Sequence, residues 1–387
     1  MLKISLPVQL LIILGFVVFF GNMLSYQTVQ LFYSISLTFK ECLSFLLPFM
    51  VFAFICSGIL AFKKRAPLVI GVLLTCILLS NSLVALFAYL TSTSLLCSIT
   101  NGVFIYQLVT SGTISPLWSF ALAKPISSEK AMLLAVIIGM LLSYITIPSA
   151  EQAIARFKKS IEWIMNRFFI PILPLYILGF LLEIHHKGVF LQLFQSYGKT
   201  FALIFVLHMV TIFIIYFIAS NFKIQKTLFY IQNAIPSYLT AFGTMSSTAT
   251  IPVTVQCAQK NINNTPLVQV ATPILANVHL LGDAISTPIL AIITIYLFTG
   301  TIPTVVTFAT FIMYFCLTML AVSGVPGGGI IVMIPILTSV LGFTDAMISI
   351  ITTLYLLQDA IGTAANVMGD GALMIIVDKV LKKLGIQ

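Results

Sequence analysis

Long apolar runs separated by short polar or charged stretches make up most of this chain. They fall at about residues 4–24, 42–62, 68–100, 131–148, 164–184 and 200–220, with a further piece at 102–122. A helix that crosses a bilayer needs roughly 20 predominantly apolar residues, so the first six read as spans. The piece at 102–122 carries Gly112, Pro116 and Trp118 and reads as broken or re-entrant. Beyond residue 227 the apolar character persists but is cut by Pro236, a Ser/Thr run, Pro252, Pro273, Pro288 and the stretch Val325-Pro326-Gly327-Gly328-Gly329. A backbone break at membrane depth strands N–H and C=O groups, and is tolerated only inside protein or beside a watery cavity. Interrupted helices are also the best sequence pointer to a transporter's binding site. The chain therefore divides into a mainly scaffolding part, 1–226, and a functional core, 227–387.

Composition supports lipid as the solvent. Charged residues are 7% of the chain, against about 25% in soluble domains, and the mean hydropathy is +1.13. The net charge of +9 does not imply nucleic acid, because the charges cluster between apolar runs. Lys3 precedes an apolar stretch with no small-residue cleavage site after it, so the first run reads as a retained helix. Six scattered cysteines (Cys42, Cys56, Cys76, Cys97, Cys257 and Cys316) form no metal or disulfide pattern. No hydrolase, zinc or nucleotide-binding signature is present, which argues against an enzyme and against an organic cofactor.

With a cytoplasmic N-terminus and two re-entrant hairpins, the Lys/Arg distribution is one-sided. Fourteen basic residues then face inward, including Lys63, Lys64, Arg65, Arg156, Lys158, Lys159 and the tail lysines. Five face outward: Lys40, Lys124, Lys130, Lys187 and Lys199. The expected location is the cytoplasmic (inner) membrane of a bacterium.

Ionisable groups inside a membrane are functional candidates by default. Asp283, Asp345, Asp359 and Asp370 lie in the C-terminal part. Asp345 follows Gly342-Phe343-Thr344 and is expected to cap a helix. Spacings of 4, 3 and 4 put Asp359, Thr363, Asn366 and Asp370 on one helical face. Two carboxylates on such a stripe favour a site for a hard cation or an ammonium group over simple hydrogen-bonding between helices. His185 and His186 read as interfacial, and His208 has no ligand-like companion in the sequence.

The stretch from Ala241 to Thr254, AFGTMSSTATIPVT, resembles the serine-rich first re-entrant hairpin of the glutamate transporter family, the dicarboxylate/amino acid:cation symporters. Gly324-Val325-Pro326-Gly327-Gly328-Gly329 resembles the tip of its second hairpin, and Asn366-Val367-Met368-Gly369-Asp370 resembles its last helix. The resemblance covers about residues 230–385. It implies an all-α integral membrane protein of eight transmembrane helices and two re-entrant hairpins, built as inverted repeats and working as an elevator. It further implies a homotrimer, with the third and sixth helices joining the transport core. The implied substrate site comprises Met245, Ser246, Ser247, Asp283, Val325, Gly329, Asp359, Gly362, Thr363 and Asn366. Asp359 and Thr363 would meet the substrate amine, and Ser247 and Asn366 its carboxylate. One implied cation site joins Asp370 to carbonyls of Leu275, His279 and Asn366. Another uses carbonyls of Asn277, Met319, Leu320 and Val322, and a third involves Tyr89, Ser92 and Thr93.

Departures from the family pattern refine these expectations. Its seventh-helix signature Asn-Met-Asp-Gly-Thr stands here as His279-Leu280-Leu281-Gly282-Asp283. Leu281 replaces a cation-binding aspartate, so the third cation site is expected to be lost or altered. Tyr355 replaces an acidic residue, and Gly362 stands where dicarboxylate-selective members carry arginine. The expected solute is a small amino acid or dicarboxylate-like molecule whose side chain is neutral or cationic in preference to acidic. Sodium, protons or both would drive it. Two roles are open for Asp283, a substrate contact or a pair with His279 one turn away, and His279 itself could carry a proton or simply be a core residue. The competing readings are an obligate exchanger without cation-driven accumulation, and a channel-like or sensing relative.

Overall fold

The computed structural model describes residues 6–61, 67–100 and 114–385, apart from 119, 124, 127, 146, 187, 189, 321 and 323–326. Regular structure among them is entirely helical. Seven helices precede residue 220: α1 Leu6–Phe20, α2 Tyr26–Ala61, α3 Pro67–Thr100, α4 Ser128–Tyr144, α5 Pro148–Ile164, α6 Ile170–His186 and α7 Phe190–Ala219. Seven more follow: α8 Ile224–Thr244, α9 Ser247–Gln259, α10 Thr265–Val278, α11 Leu281–Thr299, α12 Val305–Met319, α13 Gly328–Leu341 and α14 Asp345–Lys383.

Two helices in the first half, α2 and α7, start well before their apolar segments. α2 starts at Tyr26 rather than near residue 42 because its hydroxyls bond the turn before them. Ser34 Oγ donates to the Gln30 carbonyl at 2.6 Å and Thr38 Oγ1 to that of Ser34 at 3.0 Å, so polar residues do not compete with the helix. α7 likewise begins at Phe190, with Thr200 bonded back to Ser196 and the buried Tyr197 hydroxyl 2.8 Å from Thr294 Oγ1. α6 starts later than the run at 164. A π-helical turn, Met165–Phe169, precedes it, where Pro171 and Pro174 withhold N–H donors. Of the interrupted piece at 102–122, residues 101–113 lie outside the described residues. Ile114–Trp118 is irregular and lies along α2, with Leu117 N donating to Ser34 Oγ and Trp118 Nε1 to Thr38 Oγ1, both at 2.8 Å.

Four helical stretches among the described residues are long and apolar enough to cross a membrane: Gly71–Thr100, Ser196–Ala219, Thr265–Thr299 and Asp345–Lys383. Several apolar spanning helices make this an integral membrane protein. α12 and α13 are different. With 15 and 14 residues at about 1.5 Å each, they fall well short of a hydrocarbon core of roughly 30 Å. They pack on each other as a pair, as do α8 and α9. The tip of the first pair turns at Met245, which takes the left-handed conformation (φ 50°), followed by Ser246 as N-cap of α9.

α11 lies at the centre. Every residue from Leu281 to Ile295 is buried, as expected for a helix apolar all round. It packs against α3, α7 and α14. Lipid tails are as apolar as leucine, so close packing and hydrogen bonds rather than the hydrophobic effect must hold such helices together. Gly282 shows how. A Cβ there would run into the Gly362 carbonyl, so α11 and α14 cross with backbone against backbone.

Candidate functional site

Helix α10 ends at Val278, and its continuation is broken at His279 and Leu280, whose backbones are extended or irregular. The break gives α11 a free N-terminus in the middle of the protein. Leu280 has no side chain to cap it. Asn366 of α14 does so from across the crossing. Its Oδ1 accepts from Gly282 N at 2.6 Å and from Asp283 N at 3.4 Å, satisfying donors that helix starts leave unpaired. The other end of the amide, Nδ2, donates to Asp283 Oδ2 at 3.2 Å. Tyr355 Oη donates to Asp283 Oδ1 at 2.6 Å.

Asp359 lies one turn along α14 from Tyr355. Its Oδ2 accepts the Gly327 backbone N–H at 2.9 Å, and its Oδ1 accepts from Thr363 Oγ1 at 3.3 Å. Gly327 is the N-cap of α13 and has φ 71°, a conformation that glycine adopts without strain. Two residues on, Gly329 lies against Tyr355: a Cβ there would collide with the phenol hydroxyl and stand 3.5 Å from Asp283 Oδ2. The N-termini of α11 and α13 therefore converge on two buried carboxylates. Helix starts carry partial positive charge and free N–H groups, which favours that arrangement.

A second cluster lies farther along α14. Asp370 Oδ1 is 2.9 Å from His279 Nδ1, and both residues are essentially inaccessible (1% and 0% exposed). A carboxylate accepts, so Nδ1 carries the proton. The other ring nitrogen, Nε2, is 2.9 Å from Ser80 Oγ of α3. Asp370 Oδ2 is buried without a protein partner. The break supplies this geometry too, because it turns the His279 ring away from α11 and into the gap between α3 and α14.

The residues expected to form a site sort into two groups. Asp283, Gly329, Asp359, Gly362, Thr363 and Asn366 meet in one network, with His279 and Asp370 beside it. Gly362 packs against the same groups: a Cβ there would make ordinary contacts with the Gln358 amide at 3.6 Å and Asp283 Oδ1 at 3.9 Å. The others are near in the chain but bonded locally. Ser246 Oγ accepts from Ala249 N as a helix cap. Ser247 is buried at the start of α9, and Met245 is half-buried at the turn. The Leu275 carbonyl accepts from His279 N and that of Met319 from Val322 N; Leu320 N bonds back to Leu317, and Asn277 Nδ2 to the Pro273 carbonyl. Ser92 and Thr93 bond the Tyr89 carbonyl within α3, and the Tyr89 ring stacks on Phe308 of α12 at 4.4 Å. Val325 lies outside the described residues.

Several expectations need correction. Asp283 does not pair with His279. The helix break between them removes the one-turn spacing that would have aligned them, and each bonds α14 separately. Asp345 is the first residue of α14 rather than its cap; Thr344 Oγ1 accepts from Met347 N instead. His208, without companions in sequence, is fully buried with Nε2 3.0 Å from the Gly282 carbonyl and 3.2 Å from Ser286 Oγ. Ser286 in turn donates to Gln358 Oε1 at 3.0 Å. Tyr355, Gln358, Ser80 and Gly327 belong to the site but were not among the expected site residues. Tyr355 carried one signal: it lies four positions before Asp359, on the same face of α14.

Comparison with known proteins adds an independent line. A family profile described as the sodium:dicarboxylate symporter family matches residues 6–380. An excitatory amino acid transporter of Caenorhabditis elegans is 27% identical over 201 residues, covering 50% of this chain and 38% of that protein. Excitatory amino acid transporter 1 of Rattus norvegicus is 27% identical over 230 residues, 57% of this chain and 40% of the relative. Human excitatory amino acid transporter 2 is 28% identical over 163 residues, 41% of this chain and 27% of the relative. The matched region thus spans two fifths or less of these relatives' length.

Proposed function

The chain belongs to the sodium:dicarboxylate symporter family, and from that premise we propose that it is a secondary transporter that couples a small amino acid to sodium, protons or both. Asp359 carries this reading. It is a buried carboxylate with neutral donors on both oxygens, and one of those donors, Gly327 N–H, belongs to the tip of a short helix pair. In this reading the α12–α13 pair is a re-entrant gate over the substrate, and the α8–α9 pair is its counterpart. The substrate ammonium takes over the Asp359 oxygen that Gly327 now occupies. Binding and closure are then alternatives for one acceptor, so the loaded and empty pockets close differently.

The side chain of the substrate is neutral or cationic. Gly362 offers no guanidinium for a bidentate carboxylate contact, and the position beside it is taken by another carboxylate, Asp283. The protein is taken to be a trimer in a bacterial inner membrane, with residues 227–387, α3 and α7 moving as the transport core. Eight membrane-crossing helices and two re-entrant hairpins, moving as an elevator, accommodate the helix lengths described above.

Uptake by proteoliposomes under an inward sodium or proton gradient tests the proposal. Concentrative uptake of an amino acid, abolished by Asp359→Asn, supports it; gradient-independent swapping of internal for external amino acid favours an exchanger instead. The exchanger has one observation on its side. His279 already occupies Asp370 Oδ1, the carboxylate expected to hold a cation.

A further inference from the structure

Away from the carboxylates, α3, α7 and α14 enclose a groove of about 470 Å³. It runs from Cys76 to Phe87 along α3, from Thr211 to Ile218 along α7, and past Leu373 and Ile376 of α14. All three helices contain stretches long and apolar enough to cross a membrane. Leu83 and Ile218 on the rim are 64% and 46% exposed, whereas Leu373 on the floor is 3% exposed. The groove therefore opens sideways, toward lipid.

Its dimensions limit what it can hold. At about 1.5 Å per residue, Cys76 to Phe87 covers about 16 Å. The volume spread over that length gives a mean section of roughly 30 Å², or about 6 Å across. A helix, about 10–12 Å across with its side chains, does not fit. A single extended hydrocarbon chain does, and one leaflet supplies about half of a hydrocarbon core of roughly 30 Å. Among the described residues no charged side chain lines the groove. Its two hydroxyls do not call for a polar ligand either: Ser80 Oγ is engaged by His279 Nε2 at 2.9 Å, and Thr211 Oγ1 is buried beneath the surface. Water gains nothing in such a groove, and apolar walls without neighbours forfeit dispersion contacts.

One end of the groove is basic. Ile376 lies one turn before Lys379 on α14, and Ile218 adjoins Ala219, whose carbonyl accepts from Lys379 Nζ. Lys379 also donates to Asn221 Oδ1 at 2.7 Å and lies within electrostatic reach of Lys226 and Lys383, with Asp378 as the acidic neighbour. Lys382 takes up Asp378 at 2.6 Å, whereas Lys226 and Lys383 extend into the exposed surface. We propose that the groove is a phospholipid site, with one linear acyl chain along α3 and α7 and the phosphate beside Lys226, Lys379 and Lys383. Lipid tails are as apolar as leucine, so selection among chains rests on shape rather than hydrophobicity. The chain packs on Ser80, the residue that holds the His279 ring, and covers that contact from the membrane side. The site is independent of the transported solute.

The test is photolabelling of the full chain in nanodiscs, mapped residue by residue by mass spectrometry. The probe is a trace of phosphatidylglycerol with a diazirine midway along one linear acyl chain. Labelling at Leu83 and Ile214 should exceed that at Leu86 and Phe213 by at least about fivefold. All four are exposed and lie within a turn of one another on α3 or α7, but only the first two line the groove. Unlabelled linear-chain phosphatidylglycerol should suppress this labelling at a concentration several times lower than the methyl-branched diphytanoyl lipid needs. Phosphatidylcholine, with no net charge, should also need several times more, since each lysine near a membrane surface favours anionic lipid about fivefold. Val84→Phe, which narrows the groove, should cut labelling at Leu83 and Ile214 severalfold and leave Phe213 unchanged. If that variant fails to fold, the wild-type competition decides alone. Labelling that follows exposure alone, or competition indifferent to chain shape or to headgroup, means ordinary boundary lipid and overturns the proposal.

Discussion

The backbone N–H of Gly327 donates to Asp359 Oδ2 at 2.9 Å, tying the start of α13 to the middle of α14. This single contact joins the tip of a short helix pair to a carboxylate enclosed in protein. It separates two roles of Asp359, which can be distinguished because asparagine keeps an acceptor while losing the charge.

Asp359→Asn should therefore preserve the tie to Gly327 and abolish amino-acid transport, by about a hundredfold or more if the ammonium contact is lost. Asp359→Ala should lose both. Hydrogen–deuterium exchange at residues 327–331 is the discriminating measurement: protection should persist in the asparagine variant and fall in the alanine variant.

Gly329→Ala should be destabilising, by about 1–3 kcal/mol as for other overpacked cores, because the new methyl collides with the Tyr355 hydroxyl. Removing that hydroxyl leaves the ring carbon at 3.2 Å as the nearest atom. Gly329→Ala/Tyr355→Phe should thus recover part of the loss. Thermal unfolding of the four members of this cycle reads the coupling directly.

Two glycines face each other at the crossing of α11 and α14, yet they should respond differently to alanine. Gly282→Ala meets the Gly362 carbonyl, which is backbone and cannot step aside, so the variant should lose expression or melt far below the wild type. Gly362→Ala meets only ordinary contacts at 3.6 Å or more. It should fold normally, gaining up to about 1 kcal/mol of helix propensity. Expression and melting temperature in detergent check both.

His279→Asn leaves Asp370 buried without its imidazole partner and Ser80 without its ring contact. The buried carboxylate is then open to a cation. The melting temperature of this variant should rise when sodium chloride replaces choline chloride, by more than that of the wild type. At a sodium concentration ten times the dissociation constant, the stabilisation is about 1.4 kcal/mol. An equal sodium response in both proteins would refute the idea that His279 stands in for a cation at Asp370.

Much of this protein could be read from its residue pattern. Apolar runs of spanning length and a near absence of charge can only be solvated by lipid, so the helical membrane class followed directly. The period of the α-helix placed Asp359, Thr363, Asn366 and Asp370 on one face, since α14 runs unbroken past all four. What the pattern left undecided was contact between separate elements. His279 and Asp283 are four apart in sequence, but a break in the helix sends one to Asp370 and Ser80 and the other to Tyr355 and Asn366. Ser80 lies 199 positions from its histidine, and Gly327 lies 32 from its carboxylate. No periodicity links residues so distant. Their meeting depends on how α3, α11, α13 and α14 pack, and packing is a property of whole surfaces. The sequence by itself determined the solvent, the helical class and the polar face of the last helix; only the tertiary structure decided which neutral donors and which histidine those carboxylates would find.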